Sequence, residues 1–120
     1  MSTILIVEDD PNLGTLYQAE LEAEGFRILL ARDGNEAADF VARQIPDLIV
    51  MDIRLPEKDG LDTMTQILRD YGKIPIILNS SYSSYQDDFH TWAADAYIIK
   101  SADLAPLKSK IREILNPIGD

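Results

Sequence analysis

The sequence contains no cysteine in its 120 residues, which excludes disulfides, thiolate zinc sites and cysteine nucleophiles. It also lacks any excess of basic residues. The 21 acids against 11 Lys and Arg give a formal charge of −10, whereas general nucleic-acid binding needs basic patches that neutralise phosphates. The opening stretch from Met1 to Ile6 has no basic region, no long apolar region and no small-residue cleavage site. No apolar run approaches the ~18 residues needed to cross a bilayer, so a cytoplasmic protein without membrane insertion is expected. Repeats, low-complexity tracts and internal linkers are missing as well. Met1 reads as a true N-terminus, while Gly119-Asp120 reads either as an end or as the start of a linker.

What is present fits one globular domain over residues 1–120. At 46% hydrophobic the chain is too apolar to be disordered, and a chain of this size buries roughly two-thirds of its unfolded surface. Short apolar runs alternate with longer amphipathic stretches. Ile4 to Val7 is too short for a helix and rich in β-branched residues, so it predicts a buried strand. Asp10 and Pro11 supply an N-cap and an N1 proline; Leu13, Leu16, Tyr17 and Leu21 follow at helical spacing, and Gly25 closes the helix.

The cycle then repeats. Arg27 to Ala31 predicts the second strand, and Asp33 with Glu36 forms a capping box for a helix carrying Ala37, Phe40 and Val41. Leu48 to Met51 is the third strand, followed by a helix marked by Leu61, Met64, Ile67 and Leu68 and closed by Gly72. Ile76 to Leu78 is the fourth strand, with a helix of weak apolar stripe around Tyr85 to Ala93. Ala96 to Ile99 is the fifth strand, and Leu104, Leu107, Ile111, Ile114 and Leu115 define a fifth helix stopped by Asn116-Pro117. Five strands alternating with five helices predict an α/β, doubly wound parallel sheet covered on both faces. Ligands of such folds bind beyond the carboxyl ends of the strands.

Chemistry-bearing residues fall at that edge. Glu8, Asp9 and Asp10 follow the first strand, and Asp52 ends the third. Two carboxylates ~5 Å apart repel by roughly 3 kcal/mol at an effective dielectric of 20, which a cation would relieve. Hard oxygen ligands, few in number, suit Mg²⁺ better than Ca²⁺ or zinc. Taken singly, Asp10 reads first as a helix cap, and Asp9 and Asp52 read equally as solvated loop acids. Ser80 lies just past the fourth strand and Lys100 just past the fifth; alone, they would be a turn residue and a solvated charge. Together, a hydroxyl and an ammonium beside the acids can hold a divalent ion and a phosphoryl group, with an aspartate as nucleophile.

Val7-Glu8-Asp9, then Asp52-Ile53-Arg54-Leu55-Pro56 with Asp59-Gly60, then Pro75 with Ser80, then Tyr97-Ile98-Ile99-Lys100, resemble the receiver domains of response regulators over the whole chain. The resemblance implies a flavodoxin-like sheet of order 2-1-3-4-5 and assigns Asp52 as the phosphoacceptor. It further implies Mg²⁺ bound by Asp9, Asp52 and the Arg54 backbone carbonyl, with Glu8 acting mainly through water. Ser80 and Lys100 would contact the phosphoryl oxygens, and Tyr97 would be the aromatic switch; otherwise Tyr97 is a tyrosine half-buried on an edge strand. The sequence departs from the family in two places. Ser101 follows Lys100 where proline, often with a cis peptide, is usual, and a non-proline cis bond costs about 3 kcal/mol more than trans. Asn79 stands where an apolar residue is usual, with a hydrogen bond near the site as its one expected use.

The implied function is a phosphorylation-activated switch of a two-component or phosphorelay system. A histidine kinase or histidine phosphotransfer protein would supply the phosphoryl group. The surface of the fourth helix, fifth strand and fifth helix would then control a partner protein or output domain, with no direct contact to nucleic acid. The alternative is a Mg²⁺-dependent phosphatase with an aspartate nucleophile, but Arg54 occupies the place where such enzymes carry their second acid. A flavodoxin-like electron carrier would need a Gly-rich phosphate loop where Glu8-Asp9-Asp10 stand. Arg54 and Tyr82, two residues beyond Asp52 and Ser80, are placed to obstruct the hydrolytic water and lengthen the phosphoryl lifetime.

Overall fold

Strands that are to be buried on both faces carry continuous β-branched and apolar runs, and these runs form the sheet. The computed structural model describes residues 1–53, 60–81 and 94–115. Its strands are β1 (Thr3–Val7), β2 (Arg27–Ala31), β3 (Leu48–Met51), β4 (Ile76–Ser80) and β5 (Ala96–Ile99). Its helices are α1 (Pro11–Ala23), α2 (Gly34–Arg43), α3 (Gly60–Tyr71) and α4 (Ala105–Leu115), the last being the fifth helix of the sequence pattern. The helix expected around Tyr85 to Ala93 lies outside the described residues. All strands are parallel, in the order β2-β1-β3-β4-β5.

The sheet divides two apolar cores. Leu5, Val7, Ile49, Met51, Ile76 and Leu78 face α2 and α3, and meet Ala37, Val41, Met64 and Ile67. Ile4, Ile6, Leu48, Val50 and Ile77 face α1 and α4, and meet Tyr17, Leu21, Leu107 and Ile111. Leu16, expected on the apolar stripe of α1, is exposed. Across the α1–α4 seam Lys108 pairs with Glu20 at 2.7 Å and Arg112 with Glu24 at 2.6 Å.

Capping follows the local sequence. Asp10 accepts from the N–H groups of Asn12 and Leu13, and Asp33 from that of Glu36. Glu36 reaches back to the Arg32 N–H, one residue before the cap. Gly25, at φ +99°, ends α1 in the left-handed conformation, with the Phe26 N–H donating to the Leu21 carbonyl.

At the amino edge of the sheet two aspartates clasp neighbouring strands. Asp47 accepts from the Thr3 N–H at 2.7 Å and returns its own N–H to the Thr3 carbonyl at 2.8 Å. Asp95 does the same with Ile76, at 2.9 and 2.8 Å. At the opposite edge β4 runs two residues further than the apolar run suggests. Asn79 pairs with Ile98 and Ser80 with Ile99, so Ser80 is the last residue of the strand rather than a turn residue beyond it. The missing signal is that the ladder, not side-chain polarity, decides where a strand ends.

Candidate functional site

Because β1 and β3 are adjacent and in register, Glu8 and Asp9 emerge beside Asp52, whose N–H donates to the Val7 carbonyl. Glu8, Asp9 and Asp52 each place a carboxylate oxygen within 4.8 Å of the other two. Glu8 and Asp52 are buried and Asp9 is exposed. Lys100, directly after β5, extends its ammonium to 2.7 Å from both Glu8 and Asp52. Burial raises the Glu8 carboxyl above its usual value, against the lowering effect of Lys100. Burial would lower the Lys100 ammonium, but its hydrogen bonds to Asp52 and Glu8 outweigh this and raise it.

Three carboxylates and one ammonium leave two negative charges in excess. An all-oxygen donor set with one open, solvent-facing member suits a hard cation such as Mg²⁺, which keeps several waters. Asp10 is not part of this set: its carboxylate caps α1, and its N–H donates to Glu8 at 3.1 Å. Ser80, fully buried, closes the end of the neighbouring strand, and its carbonyl accepts from the Lys100 N–H at 2.8 Å. None of the described peptide bonds is cis, that between Lys100 and Ser101 included. Tyr97 is half-buried on β5 against the α2–α3 core. Arg54 and Tyr82 lie outside the described residues.

The sequence reading missed one feature and the partner in another. Gly60 seats the start of α3 on the backbone of the central acid: its N–H donates to the Ile53 carbonyl at 2.7 Å. A methyl group there would overlap the Asp52 carbonyl oxygen and come within 2.8 Å of the Ile53 Cα. The second is a buried polar pair. The Asn79 side-chain amide donates to the Tyr17 hydroxyl at 3.1 Å, on the α1–α4 side of the sheet. A lone amide in an apolar strand signals that some partner must exist, since buried polar groups are nearly always paired. Nothing in the sequence says which.

Known proteins resemble this chain in sequence and fold. The family model for the response regulator receiver domain matches residues 4–112. The transcriptional regulatory protein CpxR of Escherichia coli is 36% identical over 96% of this chain and 50% of its own length. The chain spans about a quarter to about half the length of the curated relatives it matches first. The response regulator TrrA of Thermotoga maritima, solved in complex with Mg²⁺ and BeF, is 37% identical; the match covers 95% of this chain and 99% of that one with a TM-score of 0.91. TrrA has also been solved with the histidine kinase ThkA, and that structure matches with a TM-score of 0.90 at 37% identity over 96% of this chain and 99% of the other. With the family match spanning nearly the whole chain and all five strands in the expected order, the chain belongs to the response regulator receiver domain family.

Proposed function

We propose that this domain is a cytoplasmic two-component or phosphorelay switch that accepts a phosphoryl group on Asp52 in a Mg²⁺-dependent reaction. The observation that carries the reading is the Lys100 ammonium held at 2.7 Å from both Glu8 and Asp52 within a cluster of three acids. The donor is the phosphohistidine of a histidine kinase or histidine phosphotransfer protein. The Asp52 carboxylate attacks phosphorus, the P–N bond breaks, and the imidazole leaves with the bonding pair and takes up a proton. Asp9, Asp52 and the Arg54 carbonyl would hold Mg²⁺, with Glu8 acting mainly through water, and the ion would supply positive charge against the phosphoryl oxygens. Lys100 turns its ammonium from the carboxylates to one of those oxygens, and the Ser80 hydroxyl donates to another.

Tyr97 then turns toward the space that the Ser80 hydroxyl vacates, and the surface of β5 and α4, with that of the fourth helix expected from the sequence, changes for a partner protein or output domain. The phosphoryl group acts by favouring one of two conformations the domain already samples. The domain turns over only its own phosphate. Intact mass after incubation with acetyl phosphate and Mg²⁺ tests the reading. The wild type should gain one phosphoryl group, and Asp52→Ala or addition of EDTA should abolish the gain. A phosphorylated Asp52→Ala protein would refute the site, and an EDTA-insensitive rate would refute the metal.

A further inference from the structure

Tyr17 and Asn79 form a hydrogen bond that the apolar packing around them does not require. Tyr17 packs with Ile4, Ile6, Leu21 and Ile77, and the buried Asn79 meets it on the sheet face opposite Leu78 and the α2–α3 core. For stability alone, a pair of apolar side chains of the same shape would serve as well. What a buried polar pair adds is a fixed geometry between the two elements that carry it. Here those elements are α1, which begins at Pro11, two residues after Asp9, and the last two pairs of the β4–β5 ladder, which include Ser80.

We propose that the Tyr17–Asn79 hydrogen bond is a positioning link for phosphoryl transfer, fixing the backbone at Asn79 and Ser80 so that the Ser80 hydroxyl stays within reach of Asp52. The inference rests on the function proposed above. Residues 79 and 80 are held on two sides: Tyr17 grips Asn79 through its side chain, and the Lys100 N–H grips the Ser80 carbonyl at 2.8 Å. With the backbone held, the Ser80 hydroxyl answers the phosphoryl group by rotation about Cα–Cβ and not by a shift of the strand. Neither Tyr17 nor Asn79 touches the phosphoryl group; both act through Ser80.

The test is the double variant Tyr17→Phe/Asn79→Leu, which replaces both partners by apolar groups and leaves no buried amide unpaired. Its melting temperature should stay close to that of the wild type. Its rate of phosphorylation by acetyl phosphate, and its affinity for beryllofluoride with Mg²⁺ read by ¹⁹F NMR, should each fall by about fivefold, the worth of one net hydrogen bond. In metal-free protein the Lys100 amide should exchange faster while the amides of β1 do not. In a Ser80→Ala background the same double variant should change the rate by less than about twofold, because the link acts through the hydroxyl. Tyr17→Phe alone carries the same expectation for the rate. An unchanged rate in a wild-type-like melt, or an effect that persists without the Ser80 hydroxyl, would overturn the link. If the wild type itself took no phosphoryl group, the proposed function would fall and the link with it; a phosphorylated wild type with an indifferent variant condemns the link alone.

Discussion

Replacing Asp9 by asparagine removes one charge from the crowded carboxyl edge of the sheet and leaves no buried group unsatisfied, since Asp9 is exposed. Its carboxylate lies within 4.8 Å of both Glu8 and Asp52. At that separation one pair of unit charges repels by about 3.5 kcal/mol at an effective dielectric of 20, and by about 1 kcal/mol in water. The exposed position puts the effective value near the lower figure, and attraction to Lys100 offsets part of the second pair. The expected gain in stability is therefore about 1 kcal/mol, or roughly 4 °C in melting temperature for a domain of this size. Mg²⁺ should act unequally on the two proteins. At a hundred times its dissociation constant it stabilises the wild type by about 2.7 kcal/mol through mass action, and the variant should lose most of that response. Thermal melts with and without Mg²⁺, followed by circular dichroism at constant ionic strength, measure both effects. A variant that melts at or below the wild type and responds equally to Mg²⁺ would refute both the repulsion and the metal site.

Gly60→Ala should cost about 2 kcal/mol in urea unfolding and slow phosphorylation severalfold, because the added methyl must push the Asp52–Ile53 backbone aside; an unchanged midpoint would contradict this. Lys100 and Tyr17 both have folded-state pKa values raised above their ordinary 10.5 and 10.0. Each therefore contributes stability that is whole below its unfolded value and lost as pH rises through the folded one, so stability should decline from about pH 10 upward. Lys100→Met should lower stability at neutral pH yet flatten that alkaline slope; urea titrations at a series of alkaline pH values measure it, and an unaltered slope would exclude the ion pairs as its source. The phosphorylated double variant Arg54→Asn/Tyr82→Ala should lose its phosphate severalfold faster than the wild type, and a decay no faster would show that neither side chain obstructs the water.

How much of this was legible in the sequence depends on range. The runs at β2, β3 and β5 matched the strands residue for residue, although only β3 is buried throughout and the edge strand β2 opens on the exposed Arg27. The caps at Asp10 and Asp33 and the closing Gly25 were equally plain, since each acts within a few residues of itself. The gathering of Glu8, Asp9 and Asp52 followed from strand order alone. Contacts that depend on side-chain reach did not. Lys100 was expected to serve a phosphoryl oxygen, and nothing local says that it also holds Glu8 and Asp52 together. Tyr17 looked like one more member of an apolar stripe, because its partner stands 62 positions away on a strand whose end the apolar run misplaces.

The aspartate clasps at the amino edge bear on a problem that a doubly buried parallel sheet creates for itself. In a sheet with one wet face, a slip of one residue would bury polar side chains, so alternation keeps the strands in frame. Here both faces are apolar, and a slipped strand would merely exchange Ile and Leu between two cores that each accept them. Asp47 and Asp95 supply the missing punctuation: each can clasp Thr3 or Ile76 in only one alignment. Each also stands five residues upstream of a residue at the far edge, Asp47 of Asp52 and Asp95 of Lys100. Like a start signal that sets a reading frame, each clasp decides which residue the strand delivers at its other end. A one-residue slip would present Met51 or Ile53 in place of the central carboxylate, and Ile99 or Ser101 in place of the ammonium, in a sheet otherwise as well packed as before.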